Sequence, residues 1–176
     1  GQTLGCSSVG RRSVAIDGLR GVVWSYGHGN LKSHRFDGTP VACLALPGGV
    51  DAECSGGSPP SRVRMVVQPS DGSLWLGIGS NGAHLLVHVD GSGEGLAGIE
   101  LPPDSPIMAL GIETARNRLW VGSARSATAY DADGRGGDIL SPLATLDLAL
   151  PDGARLQDLS VDNPTGKIWV ALTDRL

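Results

Sequence analysis

Four tryptophans, Trp24, Trp75, Trp120 and Trp169, recur about once every fifty residues inside one local phrase. The phrases read IDGLRGVVW, QPSDGSLWLG, ETARNRLWVG and VDNPTGKIWVA: a turn-forming cluster, then an apolar strand with tryptophan near its start. Self-similarity at such a period belongs to stacks or rings of supersecondary units, none of which buries its own apolar face alone. The repeat therefore constrains the fold before any individual residue does.

Composition narrows the kind of unit. The 176 residues include 27 glycines and 11 prolines but a single phenylalanine, which suits many short strands joined by tight turns. A hydrophobic content of 40% suffices for a sizeable core in one domain. No stretch of about 12 residues sustains an apolar stripe at helical spacing, so few helices are expected. The net charge is -4 and the 14 basic residues are dispersed, apart from the pair Arg11 and Arg12. That distribution gives no footprint for a phosphate backbone, and nucleic acid is not an expected partner. No run approaches the roughly 18 to 20 apolar residues of a membrane-spanning helix.

Alignment on the tryptophans yields a four-part cycle. An inner strand comes first, over Ser13–Asp17, Val63–Gln68, Ile107–Glu113 and Leu156–Asp162, each closing on a polar residue seven positions before the tryptophan: Asp17, Gln68, Glu113 and Asp162. A short turn of residues that tolerate positive φ leads into the tryptophan strand. The third strand ends in Asp-Gly at 37–38, 90–91 and 133–134, a local hairpin signal, and the fourth in Leu-Pro at 46–47, 101–102 and 150–151. Proline at a strand end or edge forfeits no ladder hydrogen bond.

Four antiparallel strands per unit describe the blade of a β-propeller. An all-β sandwich of about fourteen strands is the rival, but a sandwich does not require the same motif order in every unit. The expected fold is thus all-β, a β-propeller or propeller fragment of about three and a half four-stranded blades. The blades are placed near 13–49, 63–103 and 107–152, with a half-blade at 156–173, after a leader segment at 1–12. The phrases LeuTrpLeuGly at 74–77 and LeuTrpValGly at 119–122, with a polar residue closing each preceding strand, resemble blades of the NHL, gluconolactonase-like and two-component-regulator propeller families. The resemblance spans residues 13 to about 174 and implies blade geometry, with only a loose set of functions attached.

A half-blade leaves an open edge at Lys167–Ala171, and three explanations stand. The residues belong to a longer chain, or another chain completes the ring, or the ring is a small one with an irregular last blade.

Candidate chemistry is sparse. In the lactonases that the repeat resembles, acidic and amide side chains at one end of the channel hold a divalent cation. Asp17, Gln68, Glu113 and Asp162 are accordingly candidate ligands for Ca2+ or another divalent cation. The competing role for them is capping their own hairpins through backbone amides, and recurrence at one position favours that repeated structural job. His84 and His88 share one face of a strand, with Asp90 nearby, and offer a second metal reading against that of ordinary polar positions. His28 and His34 have no partner at ligand spacing. No Gly-x-Ser-x-Gly, phosphate-loop or Cys-x-x-Cys pattern is present. Cys43 and Cys54 suit either a loop-clamping disulfide in an oxidising compartment or two buried free thiols. Cys6, in TLGCSS, resembles the lipidated cysteine of a bacterial lipoprotein, with a plain leader as the alternative. Arg116, Arg118 and Arg125 are expected as solvated loop and edge positions.

The expectation is a non-catalytic binding or assembly module outside the cytoplasm. It would grip a protein partner, peptide or glycan on loops held by rigid blades, or join the remainder of its own propeller. Two alternatives follow from the resemblance: a divalent-metal-dependent lactonase-like or lyase-like enzyme, and a ligand-sensing propeller domain of a signalling receptor.

Overall fold

A computed structural model describes residues 13–27, 30–45, 62–80, 83–92, 95–133 and 141–173. They form fourteen strands and one 3-10 turn at Thr114–Arg116. Every strand pairs with its sequence neighbour in an antiparallel ladder, so the chain is laid down as successive hairpins. The first sheet holds β1 (Ser13–Asp17), β2 (Val22–Gly27), β3 (Asn30–Arg35) and β4 (Pro40–Ala45). The second holds β5 (Arg62–Val67), β6 (Leu74–Ser80), β7 (Ala83–Val89) and β8 (Gly95–Leu101). The third holds β9 (Ala109–Glu113), β10 (Arg118–Gly122), β11 (Ser126–Asp131) and β12 (Ala144–Asp147). The fourth has two strands, β13 (Arg155–Asp162) and β14 (Lys167–Thr173).

The first turn of each sheet is built alike. Four residues after Asp17, Gln68, Glu113 and Asp162 come Gly21, Gly72, Asn117 and Gly166, with φ of 65°, 77°, 51° and 66°. Only glycine, or asparagine at a small cost, settles in this left-handed conformation, which is why these two residue types hold the place. At the outer end of the sheets, Asp37 and Asp90 take the amides of Thr39 and Ser92, each at 2.9 Å, closing the Asp-Gly turns after β3 and β7. Several strand boundaries differ from the sequence reading. Ile107 and Gln68 fall outside β9 and β5, although Ile107 still packs and Gln68 N still bonds Ser73 O at 2.8 Å. The ladder of β12 ends at Asp147, before Leu150-Pro151.

The core lies between sheets. Trp24, Tyr26 and Leu31 of the first sheet pack on Val63, Val67, Leu74, Leu76 and Ile78 of the second. Trp75 and Leu86 of the second meet Ile107, Leu110, Ile112, Leu119 and Val121 of the third. Trp120, Ala127 and Ala129 of the third meet Leu156, Leu159 and Val161 of the fourth. Each sheet thus offers a tryptophan face forward and an aliphatic face backward, and strand alternation keeps the two apart. The first strands touch in the order β1, β5, β9, β13.

Trp169 departs from its three counterparts. Trp24, Trp75 and Trp120 are 1–5% exposed, whereas Trp169 is 63% exposed, because no described sheet follows β14 to cover it. At the other end, Val14 and Ile16, the counterparts of Leu159 and Val161, are 58% and 61% exposed.

Small residues let the sheets close up. A Cβ on Gly77 would stand 2.5 Å from Ile107 Cγ2, on a β-branched side chain with little freedom to turn. Gly77→Ala should therefore cost about 1–3 kcal/mol of overpacking. Urea unfolding would register it, and an unchanged midpoint would mean that the two sheets are not in this contact.

Candidate functional site

The four polar residues that close the first strands are each engaged inside their own hairpin. Asp17 Oδ1 accepts the amides of Leu19 and Arg20, both at 3.1 Å, and its Oδ2 pairs with Arg20 Nη1 at 3.2 Å. Gln68 O takes the amide of Gly72 at 2.9 Å. Glu113 Oε1 accepts from Arg116 Nη1 at 2.5 Å and Oε2 from the indole of Trp120 at 3.1 Å. Asp162 Oδ2 accepts from Thr165 Oγ1 at 2.5 Å, and its carbonyl accepts the amide of Gly166 at 2.7 Å.

Three of the four also reach forward to the next sheet's left-handed turn residue. Asp17 Oδ2 stands 2.7 Å from where a Cβ of Gly72 would lie, and Arg20 donates to the carbonyls of Pro69 and Ser70 at 3.4 and 3.2 Å. Gln68 Nε2 donates to Asn117 Oδ1 at 2.7 Å. Glu113 Oε1 lies 3.3 Å from a Cβ placed on Gly166, and Asn163 Oδ1 accepts the amide of Thr114 at 2.6 Å. Each hairpin is clasped to its successor. Burial opposes ionisation of Glu113, but the hydrogen bonds from Trp120 and Arg116 and the charges of Arg116 and Arg118 outweigh it. Its carboxyl is held below the ordinary 4.5.

Among the described residues no three His, Cys, Asp or Glu side chains gather as a metal-binding group. His88 is buried, stacked on Trp75 with ring centroids 4.3 Å apart, and its Nε2 meets Ser73 Oγ at 2.8 Å. Ser73 Oγ in turn donates to Asp71 Oδ1 at 2.7 Å. His84 lies against Gly79, while Asp90 serves its turn. Sequence reasoning placed both histidines on one face but missed the Trp75–His88 stack, whose signal is the direct register of β6 on β7.

Cys43 is exposed and free, which corrects the buried-thiol reading for that residue: it stands on the uncovered face of the first sheet. Cys54, Cys6, His28, Arg11 and Arg12 lie outside the described residues. His34 is half-buried on β3. Arg116 and Arg125 are exposed yet engaged, the former by Glu113 and the latter by the carbonyl of Leu150 at 2.9 Å. No described helix is long and apolar enough to cross a membrane.

The first strands of all four sheets line one cavity of about 400 Å3, walled by Ser13, Arg64, Met65, Leu110, Gln157 and Asp158. Ser13, Arg64 and Asp158, with Ala109, stand eleven residues before their tryptophans and form one level across the four strands. Unlike the capping position, this level carries a different residue type in each sheet. Arg64 is anchored by its Nε, which donates to Met108 O at 2.6 Å, and among the described residues its Nη groups have no partner. Arg62 beside it donates to Met108 Sδ. Asp158 Oδ1 takes the amide of Leu159 at 2.9 Å, and no ion pair joins Asp158 to Arg64. A bulge at Gln157 breaks the alternation of β13 and lets consecutive residues face the cavity. Nothing in the local sequence marks these residues, because the level exists only once four strands are aligned.

No family model matches the chain, and no curated protein matches it. Among solved structures, it is similar to a protein of unknown function from Bacteroides caccae, at 14% identity and a TM-score of 0.57. The match covers 90% of this chain and 52% of the other, so the chain spans about half that protein's length. The likeness is one of fold.

Proposed function

We propose that the chain is part of a β-propeller of the NHL, gluconolactonase-like or two-component-regulator type and works as a non-catalytic binding and assembly module. The observation that carries this reading is the interface made three times over, tryptophan face against aliphatic face with a clasped turn beside it. The first strands of consecutive sheets stay in contact, as they would in blades set around one axis. The free tryptophan face of the fourth sheet and the free aliphatic face of the first are the two halves of a further interface of the same kind. Coverage of about half of a solved chain fits further sheets between them.

In this reading the sheets are a rigid frame, and binding falls to the loops at the two ends of the ring. The partner is a protein, or the remainder of the same propeller, seated on β14 and Trp169.

Hydrogen exchange tests it. In the chain alone, the amides of Lys167–Thr173 that do not bond β13 should exchange quickly, and in the assembly purified from its source they should be protected. Equal exchange in both states would remove the assembly reading.

A further inference from the structure

We infer that the cavity between the first strands is a binding site for a small zwitterion of the α-amino acid class, with an apolar side chain. The inference rests on the wall that the four described first strands form.

The wall supplies one fixed cation and one fixed anion without joining them. Arg64 is held through Nε, which fixes the plane of its guanidinium and leaves the Nη edge for an incoming acceptor. A carboxylate is the planar oxyanion that matches that edge with paired hydrogen bonds. Asp158 stands two sheets away on β13, with Oδ1 occupied by a backbone amide and Oδ2 available for a donor such as an ammonium group. Ala109, between them in the level, is buried and carries only a methyl, so no side chain from that position of β9 bridges the two charges. Leu110 and Met65 form the apolar part of the wall, while Ser13 and the re-aimed Gln157 add neutral polar groups. Among the described residues no aromatic side chain lines the space, so they offer no stacking platform of the kind that favours a sugar ring. The volume of about 400 Å3 lies in the small-molecule range.

The arrangement of residue types supports a ligand more than a structural job. The capping position repeats a polar residue in every sheet because every turn has the same need. The cavity level breaks that rule with Ser, Arg, Ala and Asp, which is what asymmetric recognition of one molecule on an axis of repeats requires.

The test is calorimetry on the folded chain with L-leucine, beside 4-methylpentanoate, which lacks the ammonium, and 3-methylbutylamine, which lacks the carboxylate. A melting-temperature screen of the twenty amino acids accompanies it. L-leucine or another apolar amino acid should bind, and each single-charge analogue should bind about 10- to 100-fold more weakly. Asp158→Asn and Arg64→Gln should each weaken binding by a similar factor. Asp158→Asn keeps the shape of the side chain and answers the question should Arg64→Gln fail to fold. Absence of heat and of any melting shift at millimolar concentrations across the panel would overturn the proposal. So would an affinity that survives Asp158→Asn in a folded protein, or 4-methylpentanoate binding as tightly as L-leucine.

Discussion

Trp120→Asp should fail to give a cooperatively folded protein, with loss of the sharp thermal transition in calorimetry. Trp120 is 5% exposed and fills the contact between the third and fourth sheets, over Gly111, which lies directly opposite it in the ladder. Truncating a buried tryptophan costs about 3–5 kcal/mol from lost burial and residual cavity. The aspartate adds a charge at a buried interface, beside the ionised carboxyl of Glu113 that had accepted the indole N–H. Against a total stability of roughly 5–15 kcal/mol, the sum is decisive. The matched control is Trp169→Ala, on the same strand position of the fourth sheet, which should move stability by about 0.5 kcal/mol or less in the chain alone. Equal damage at the two sites would mean that Trp169 is not on a free face.

Removal of Glu113 comes next in expected size. Glu113→Leu deprives Trp120 of its acceptor and Arg116 of its counter-ion, for a loss of about 3 kcal/mol in urea unfolding at neutral pH. Glu113→Gln keeps an acceptor and should cost less. The pH dependence fixes the sign. The folded carboxyl titrates below its unfolded value of 4.5, so its contribution is fully present above that value and is lost as pH falls through the folded one. The stability gap between the native protein and Glu113→Gln should therefore narrow as pH drops below about 4.5. A gap that stays constant down the acid limb would show that the charge of Glu113 is not what the clasp uses.

These two residues illustrate what can be read from the chain. The hairpin order was legible because Asp-Gly, Leu-Pro and the tryptophan phrase are local signals, each tied to a turn or strand by its own backbone chemistry. The recurrence of Asp17, Gln68, Glu113 and Asp162 was legible for the same reason. What they reach was not: that Gln68 finds Asn117, or that Glu113 lies against Gly166, depends on how one sheet sets against the next. Trp169 carries the same phrase as Trp120 and is exposed, since its burial depends on a neighbour and not on itself. Arg64 and Asp158 sit in ordinary strand sequence and acquire meaning only across four strands. The Trp75–His88 stack needed the register between two strands, which neither strand states alone.

The forward direction of the clasps has a consequence for how the molecule is made. Asp17, Gln68 and Glu113 are completed by the turns at Gly72, Asn117 and Gly166, each further along the chain. At the usual pace of synthesis, about 5–20 residues per second, the next turn emerges some 3–10 seconds later. During that wait each newly made sheet shows its tryptophan to the surroundings, as the fourth sheet still does. The tryptophan faces are covered in one direction along the chain, so a stall leaves one of them open at the ribosome while every earlier tryptophan is already clad.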